Sequence, residues 1–264
     1  MDASQKQISR DHILDADASL LAEWIHNREI TSLLATQTYI ARIQEINPFI
    51  NSIVEDRFSQ ALKEAQAADE RILNGTSSGR LLGVPISIKE CIDVAGMKTT
   101  GGLKHLYDQT KHQDAALVAL LRREGAIILG KTNTPALCFY QETDNKLYGR
   151  TNNPWNLSRT AGGSSGGEGA LIAAGGAPVG IGSDIGGSIR FPAHFNGVVG
   201  FKSAKHQVSY EGGFPPVTEP LQARMLGIGA MAKTVRDAIL INEIISQKVP
   251  ESKYLLLRDP HAFG

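Results

Sequence analysis

The stretch that most restricts how this chain can fold is TAGGSSGGEGALIAAGGAPVGIGSDIGGSIRFP, residues 160–192. Thirteen of the 27 glycines lie between positions 161 and 200, so they serve one place rather than many scattered turns. The stretch is not a flexible linker, because Leu171, Ile172, Val179, Ile181 and Ile189 run an apolar pattern through it. Small residues let backbone approach backbone, and consecutive glycines let several N–H groups turn toward one point. This predicts a tight turn, an anion-holding nest and close contact between a helix and a sheet.

The flanking sequence supplies that sheet. The first 75 residues read as helices: DASLLAEWIHN, then TSLLATQTYIARIQEIN ended by Pro48, then FSQALKEAQAADERILNG closed by Gly75. From about Leu81 the pattern changes. LLGVPISI, AIILGKTN, PVGIGSD and VVGFKSA read as strands. DAALVALLRREGA, SSGGEGALIAAGG, GSIRFPAHF and MAKTVRDAILINEIISQ read as the helices between and after them. Alternating strands and helices predict an α/β fold with a mostly parallel sheet. A chain of 264 residues suits one sizeable core, here a helical scaffold layer over residues 1–75 and an α/β core over 81–247.

Composition excludes several classes. Lys+Arg and Asp+Glu balance at 27 each, so no global basic field invites nucleic acid. Cys91 and Cys138 make neither a disulfide framework nor a metal cluster, and the seven histidines show no ligand spacing, so no metal or cofactor is expected. No 18-residue apolar run predicts a membrane span, and the polar start MDASQKQISRDHILDAD lacks the apolar region of a signal peptide. A reducing, cytoplasmic setting fits this cysteine usage.

Two familiar patterns fail on context. GAIILGKT, residues 125–132, satisfies the phosphate-loop pattern, but Ala126, Ile127, Ile128 and Leu129 prefer a strand, and a helix precedes it where a strand should. GGSSG, residues 162–166, satisfies the serine-hydrolase elbow, but TNNPWNLSRTA before it is made of turn formers and reads as a poor strand. Asp184 and His206 can be named as partners for such a serine, but no spacing supports them.

A third constellation carries chemistry. In GVPISIKE, strand alternation sets Val84, Ile86 and Ile88 on one face and Pro85, Ser87 and Lys89 on the other. Gly163–Ser164–Ser165–Gly166 opens a helix, and Asp184–Ile185–Gly186–Gly187–Ser188–Ile189–Arg190 opens another, where a helix dipole favours negative charge. No histidine is placed to take a proton from either serine, so a buried, uncharged lysine amine is the available base.

GVPISIKE, GGSSGGEGALIAAGG and GSDIGGSIRFPAHFNGVVGFK, taken in order, resemble the core of the amidase signature family over most of residues 81–202. The 24 residues from Ser164 to Ser188 match the spacing of that family's two catalytic serines. GGEGALI and DIGGSIRFPA are similar to its fatty-acid amide hydrolase branch more than to the A-type chains of glutamyl-tRNA amidotransferases.

The resemblance implies a mixed, mostly parallel sheet covered by helices on both faces. It also implies a Ser–Ser–Lys triad: Ser188 as nucleophile, Ser164 as bridging serine after a cis Gly163–Ser164 peptide, Lys89 as terminal base. The N–H groups of Ile185, Gly186, Gly187 and Ser188 would form the oxyanion hole. Asp184 and Arg190 would brace the nucleophile loop, and Ser165 would cap the following helix. The implied activity is hydrolysis of a linear carboxamide, a small-molecule substrate; the alternatives are the A-type chain of a glutamine-dependent amidotransferase or an inactive remnant. Ser203 and Ala230 stand where the family has proline. Family domains are also substantially longer, so the C-terminal part of the fold is expected to be missing, with association, such as a homodimer, through the sheet edge left exposed.

Overall fold

The computed structural model describes residues 8–76, 78–205 and 207–246. His206 and the segment after position 246 therefore lie outside the described residues. An outer helical layer comes first: α1 (Arg10–Asp15), α2 (Ala18–His26), α3 (Ser32–Ile50) and, after strand β1 (Ile53–Asp56), α4 (Phe58–Leu73). Then follow β2 (Pro85–Lys89), α5 (Ala116–Arg123), β3 (Ile127–Thr132), a hairpin of β4 (Asn152–Asn153) and β5 (Asn156–Thr160), and α6 (Gly166–Ala173). The described chain continues with β6 (Val179–Asp184), α7 (Arg190–Asn196), β7 (Val199–Gly200), α8 (Pro220–Met225), β8 (Gly227–Ala232) and α9 (Val235–Ile245).

Six strands form one mixed sheet in the order β1-β3-β2-β6-β8-β7. Its centre, β3-β2-β6, is parallel, while β1 and β8 run antiparallel to their neighbours. Ser87 and Lys89 share a face with their register partners Gly180 and Thr132, and α6 lies over that face. Ile86 and Ile88, on the opposite face, are fully buried, so β2 is covered on both sides as a central parallel strand must be.

Four local readings need correction. Pro48 does not end α3. The helix runs on to Ile50 and stops at Asn51 in the left-handed conformation, whose N–H still reaches Asn47 O at 2.8 Å. MAKTVRD is not all helix: Met231 and Ala232 complete β8, and α9 starts only after its cap Thr234, whose side chain accepts from the Asp237 N–H. The exposed stretch 156–160 is a strand after all, but in a two-stranded hairpin away from the main sheet, so no core strand leads into GGSSG. VVGFKSA contributes only the two residues of β7.

The first and last parts of this layer are tied together. Buried Asp237 of α9 accepts from the N–H groups of Ala18 and Ser19 at 2.7 and 2.9 Å and from Ser19 Oγ at 2.7 Å, which satisfies the open donors at the start of α2. Asp69 does the same for α3 through Ser32 and Leu33.

Candidate active site

The carboxyl ends of the parallel strands β2, β3 and β6 converge, which is where open α/β sheets place their sites. A cavity of about 230 Å³ opens there, and Ser164, Ser183, Asp184, Ile185, Gly186 and Ser188 stand on its polar side. Lys131, the lysine of the phosphate-loop pattern, is not in its lining. It is buried in β3 and donates to Ile92 O, Lys98 O and Thr99 Oγ1, fixing the 92–99 loop rather than a phosphate.

Lys89 ends β2 and is fully buried. Its Nζ lies 2.6 Å from Ser164 Oγ and 2.9 Å from Ser183 Oγ, with Ser183 O at 3.4 Å. Strand alternation carries the amine to this point, since residues of one parity face α6. Ser164 is 1% exposed, its carbonyl accepts from Thr134 Oγ1 at 3.0 Å, and the Gly163–Ser164 peptide is cis. Ser188 is half-buried at the turn into α7, and its carbonyl accepts from the Ser165 N–H at 3.0 Å, locking the two serine loops together. Ser188 lines the cavity, and its hydroxyl has no side-chain partner among the described residues.

Asp184 closes the loop that carries Ser188 from behind. Its carboxylate accepts from the N–H groups of Gly187, Ile189 and Arg190 and from both Nε and Nη2 of Arg190, the last two at 3.0 Å. Burial alone would raise this carboxyl, but the guanidinium and the three N–H donors outweigh it and hold the group at about 2. Gly187 bends the loop at φ +111°, a conformation that favours glycine.

This geometry revises the expected oxyanion hole. The Gly187 N–H is committed to Asp184 Oδ1 at 2.7 Å, leaving those of Ile185, Gly186 and Ser188 without an acceptor among the described residues. Ser165 differs from expectation too. Its side chain makes no helix-cap bond but turns inward to the Ser183 backbone, at 3.3 Å to the carbonyl and 3.4 Å from the N–H. Thr143 Oγ1 accepts the Gly166 N–H instead, at 3.1 Å.

Three neighbours escaped the sequence reading. Ser183 is the second hydroxyl on Lys89; its signal is a serine near the end of a strand parallel to the one that ends in the lysine. Cys138, in the cavity wall, sits with Leu137 in the left-handed region at φ 59° and 55°, and Thr134 Oγ1 lies 3.2 Å from its sulfur. The neighbouring Cys91 thiol lowers Cys138, with Lys89 and Thr134 adding to the effect against burial, while the buried Cys91 thiol is pushed up. Glu168 of α6 is fully buried, and its carboxylate accepts from Ser87 Oγ at 2.5 Å and Thr132 Oγ1 at 2.9 Å. Burial raises it to about 7 against those two hydrogen bonds and the charge of Lys89.

Residues 35–261 match the family model described as Amidase. Over 241 residues the chain is 45% identical to fatty-acid amide hydrolase 2-B of Danio rerio, an alignment covering 89% of this chain and 46% of that protein. It is 39% identical to the A-type chain of glutamyl-tRNA(Gln) amidotransferase from Thermoanaerobacter pseudethanolicus, covering 91% of this chain and 48% of that one. A solved structure described as fatty acid amide hydrolase superposes with a TM-score of 0.84 at 29% identity, over 95% of this chain and 43% of the other. The chain thus spans about half the length of the relatives it matches.

Proposed function

Because the chain belongs to the amidase signature family, we propose that it carries the catalytic centre of an amidohydrolase that cleaves a linear carboxamide through an acyl-serine intermediate. One observation carries this reading. A fully buried lysine amine stands 2.6 Å from the Ser164 hydroxyl, and Ser164 and Ser188 line the same cavity. A serine attacks poorly unless a neighbour removes its proton. In this reading Ser188 Oγ attacks the amide carbon and passes its proton to Ser164 Oγ, which passes its own to the uncharged Lys89 Nζ. The relay then returns a proton to the departing nitrogen, so ammonia or an amine leaves and the acyl group stays on Ser188. Water repeats the sequence and releases the carboxylate. No hydrogen bond joins the Ser164 and Ser188 hydroxyls among the described residues; in this reading it forms when substrate fills the cavity, as catalytic hydrogen bonds commonly tighten only in the complex.

In this reading the N–H groups of Ile185, Gly186 and Ser188 receive the charge that develops on the carbonyl oxygen, each such donor contributing about 3–4 kcal/mol in comparable sites. Asp184 and Arg190 hold that loop in shape. Leu137, Tyr210, Pro215, Val217 and Leu226 make the rest of the cavity wall largely apolar, which suits an apolar acyl group. The amidotransferase reading shares the same acyl-serine chemistry on glutamine, and the 39% identity to an A-type amidotransferase chain supports it. Glutamine hydrolysis only in the presence of a partner protein distinguishes it.

Among the described residues β7 pairs only with β8, which supports association through that edge. No helix among the described residues is long and apolar enough to cross a membrane.

Labelling the full chain with a fluorophosphonate tests the centre. Adduct on Ser188, lost in Ser188→Ala and slowed about 100-fold or more in Lys89→Ala, is the expected result. An adduct that persists in Ser188→Ala would falsify the assignment.

A further inference from the structure

We propose that Thr134 and Thr143 are positioning residues for the reaction: two buried hydroxyls that fix the loop carrying Ser164, so that its Oγ stays where Lys89 and the cavity need it. This rests on the reading of Ser164 as the bridging serine.

The two threonines grip that loop at three points. Both are fully buried, and Ser164 nearly so. Thr134 Oγ1 donates to the Ser164 carbonyl at 3.0 Å. Thr143 Oγ1 donates to the Gly162 carbonyl at 2.8 Å and accepts the Gly166 N–H at 3.1 Å. One hydroxyl therefore spans the turn from two residues before Ser164 to two residues after it. The loop lies close against the segment that holds both threonines. A Cβ on Gly163 would stand 2.5 Å from Tyr140 O, and one on Gly166 2.3 Å from Thr143 Oγ1.

That segment is braced in its turn. Buried Asn145 donates to Asn133 Oδ1 at 2.9 Å and to Thr134 O at 2.8 Å, and Asn133 Oδ1 also accepts the Thr134 N–H at 3.0 Å. Asn133 donates to Gly149 O at 2.9 Å and Thr151 Oγ1 at 3.0 Å, and the Thr151 N–H reaches Thr143 O at 2.8 Å. Neither threonine lines the cavity, whereas Leu137 to Gln141, between them, do. This wall has an anchor of its own, the Leu137 N–H on Gly101 O at 2.8 Å. The two hydroxyls thus bear on where Ser164 sits rather than on how the cavity receives a ligand. Ser164 Oγ lies 2.6 Å from Lys89 Nζ, and a displacement of about 1 Å in such a relay can cost about 100-fold in rate.

The test is fluorophosphonate labelling of Ser188 in the full chain over a range of probe concentrations, which separates affinity for the cavity from the limiting rate of bond formation. Thr143→Val keeps the shape and removes both hydrogen bonds. It should lower the limiting rate about 10- to 100-fold and leave the half-saturating concentration within about twofold. Thr143→Ser, which keeps the hydroxyl, should restore most of the rate. Placed on top of Ser164→Ala, Thr143→Val should cost less than about threefold more, because the serine it positions has lost its hydroxyl. Thr134→Val removes one bond, should show the same pattern with a smaller loss, and carries the test if Thr143→Val does not fold. A merely structural role would lower the melting temperature and leave the limiting rate of the folded protein unchanged. That result, a serine variant as slow as the valine one, or an undiminished loss on top of Ser164→Ala overturns this inference alone. Full-speed labelling in Ser164→Ala overturns the bridging role and this inference with it. Absence of Ser188 labelling in the unsubstituted chain overturns the acyl-serine reading as well.

Discussion

Replacing Asp184 with Asn tests how the nucleophile loop is held. The change keeps side-chain volume, removes the charge, and leaves one carbonyl oxygen where two carboxylate oxygens accepted five N–H contacts. The carboxyl is held at about 2 against an ordinary value of 3.8, a gap that corresponds to about 2 kcal/mol at about 1.4 kcal/mol per unit. The Arg190 side chain is 56% exposed, so water and salt screen part of that gain, and about 1–2 kcal/mol is the expected loss at neutral pH. The direction with pH follows from the lowered value. Above about 3.8 the folded and unfolded chains both carry the ionised group, and its contribution is complete. As pH falls through about 2 the folded carboxylate takes up its proton and the contribution disappears. Urea unfolding of the two proteins at a series of pH values should therefore show a gap at pH 7 that narrows steadily below about pH 4. Fluorophosphonate labelling of Ser188 should slow in the variant, because the donors of Ile185 and Gly186 lose their fixed aim. A gap that stays constant down to the acid end, or no gap at neutral pH, would refute the claim that the ionised carboxylate braces the loop.

Asp237→Ala should cost about 1–3 kcal/mol, read as a lowered urea midpoint, because it strands the buried donor of Ala18 and the part-buried donor of Ser19; a change under about 0.5 kcal/mol would contradict the role given to that carboxylate. Iodoacetamide should alkylate Cys138 before Cys91, with a rate that levels off at a lower pH than that of an ordinary thiol, as peptide mass spectrometry would record. Cys91 reacting first, or a Cys138 rate still climbing toward pH 9, would count against the thiol arrangement described.

The sequence reading succeeded where local pattern and tertiary position coincide. Lys89 was legible because alternation along PISIK assigns its face, and the two serines because glycine-rich turns mark helix starts. It failed where the deciding contact is distant. GIGAMA in β8 is small and buried on both faces, so it shows no alternation and merges with the helix that follows. IVED in β1 is four residues long and becomes a strand only by pairing with β3. Ser165 looked like a cap because capping is what serine does at a helix start in isolation; the Ser183 backbone, 18 residues on, claims its hydroxyl instead. The Gly187 N–H was assigned to the anion nest because nothing in the linear pattern shows that Asp184, three residues earlier, already occupies it. Glu168 reads as an ordinary polar residue of a short helix until Ser87 and Thr132 close around it.

The clasp between α9 and the start of the helical layer bears on how the molecule is assembled. Asp237 holds Ala18 and Ser19, Lys233 donates to the carbonyls of Leu14 and Ala16, and Arg236 reaches Asp17 at 2.6 Å, all across more than 200 positions. A nascent chain emerging from the ribosome cannot make these bonds until its two-hundred-and-thirties have been synthesised, and pairings so remote in sequence close slowly. Until then the Ala18 and Ser19 donors at the start of α2 lack the carboxylate that holds them in the folded molecule.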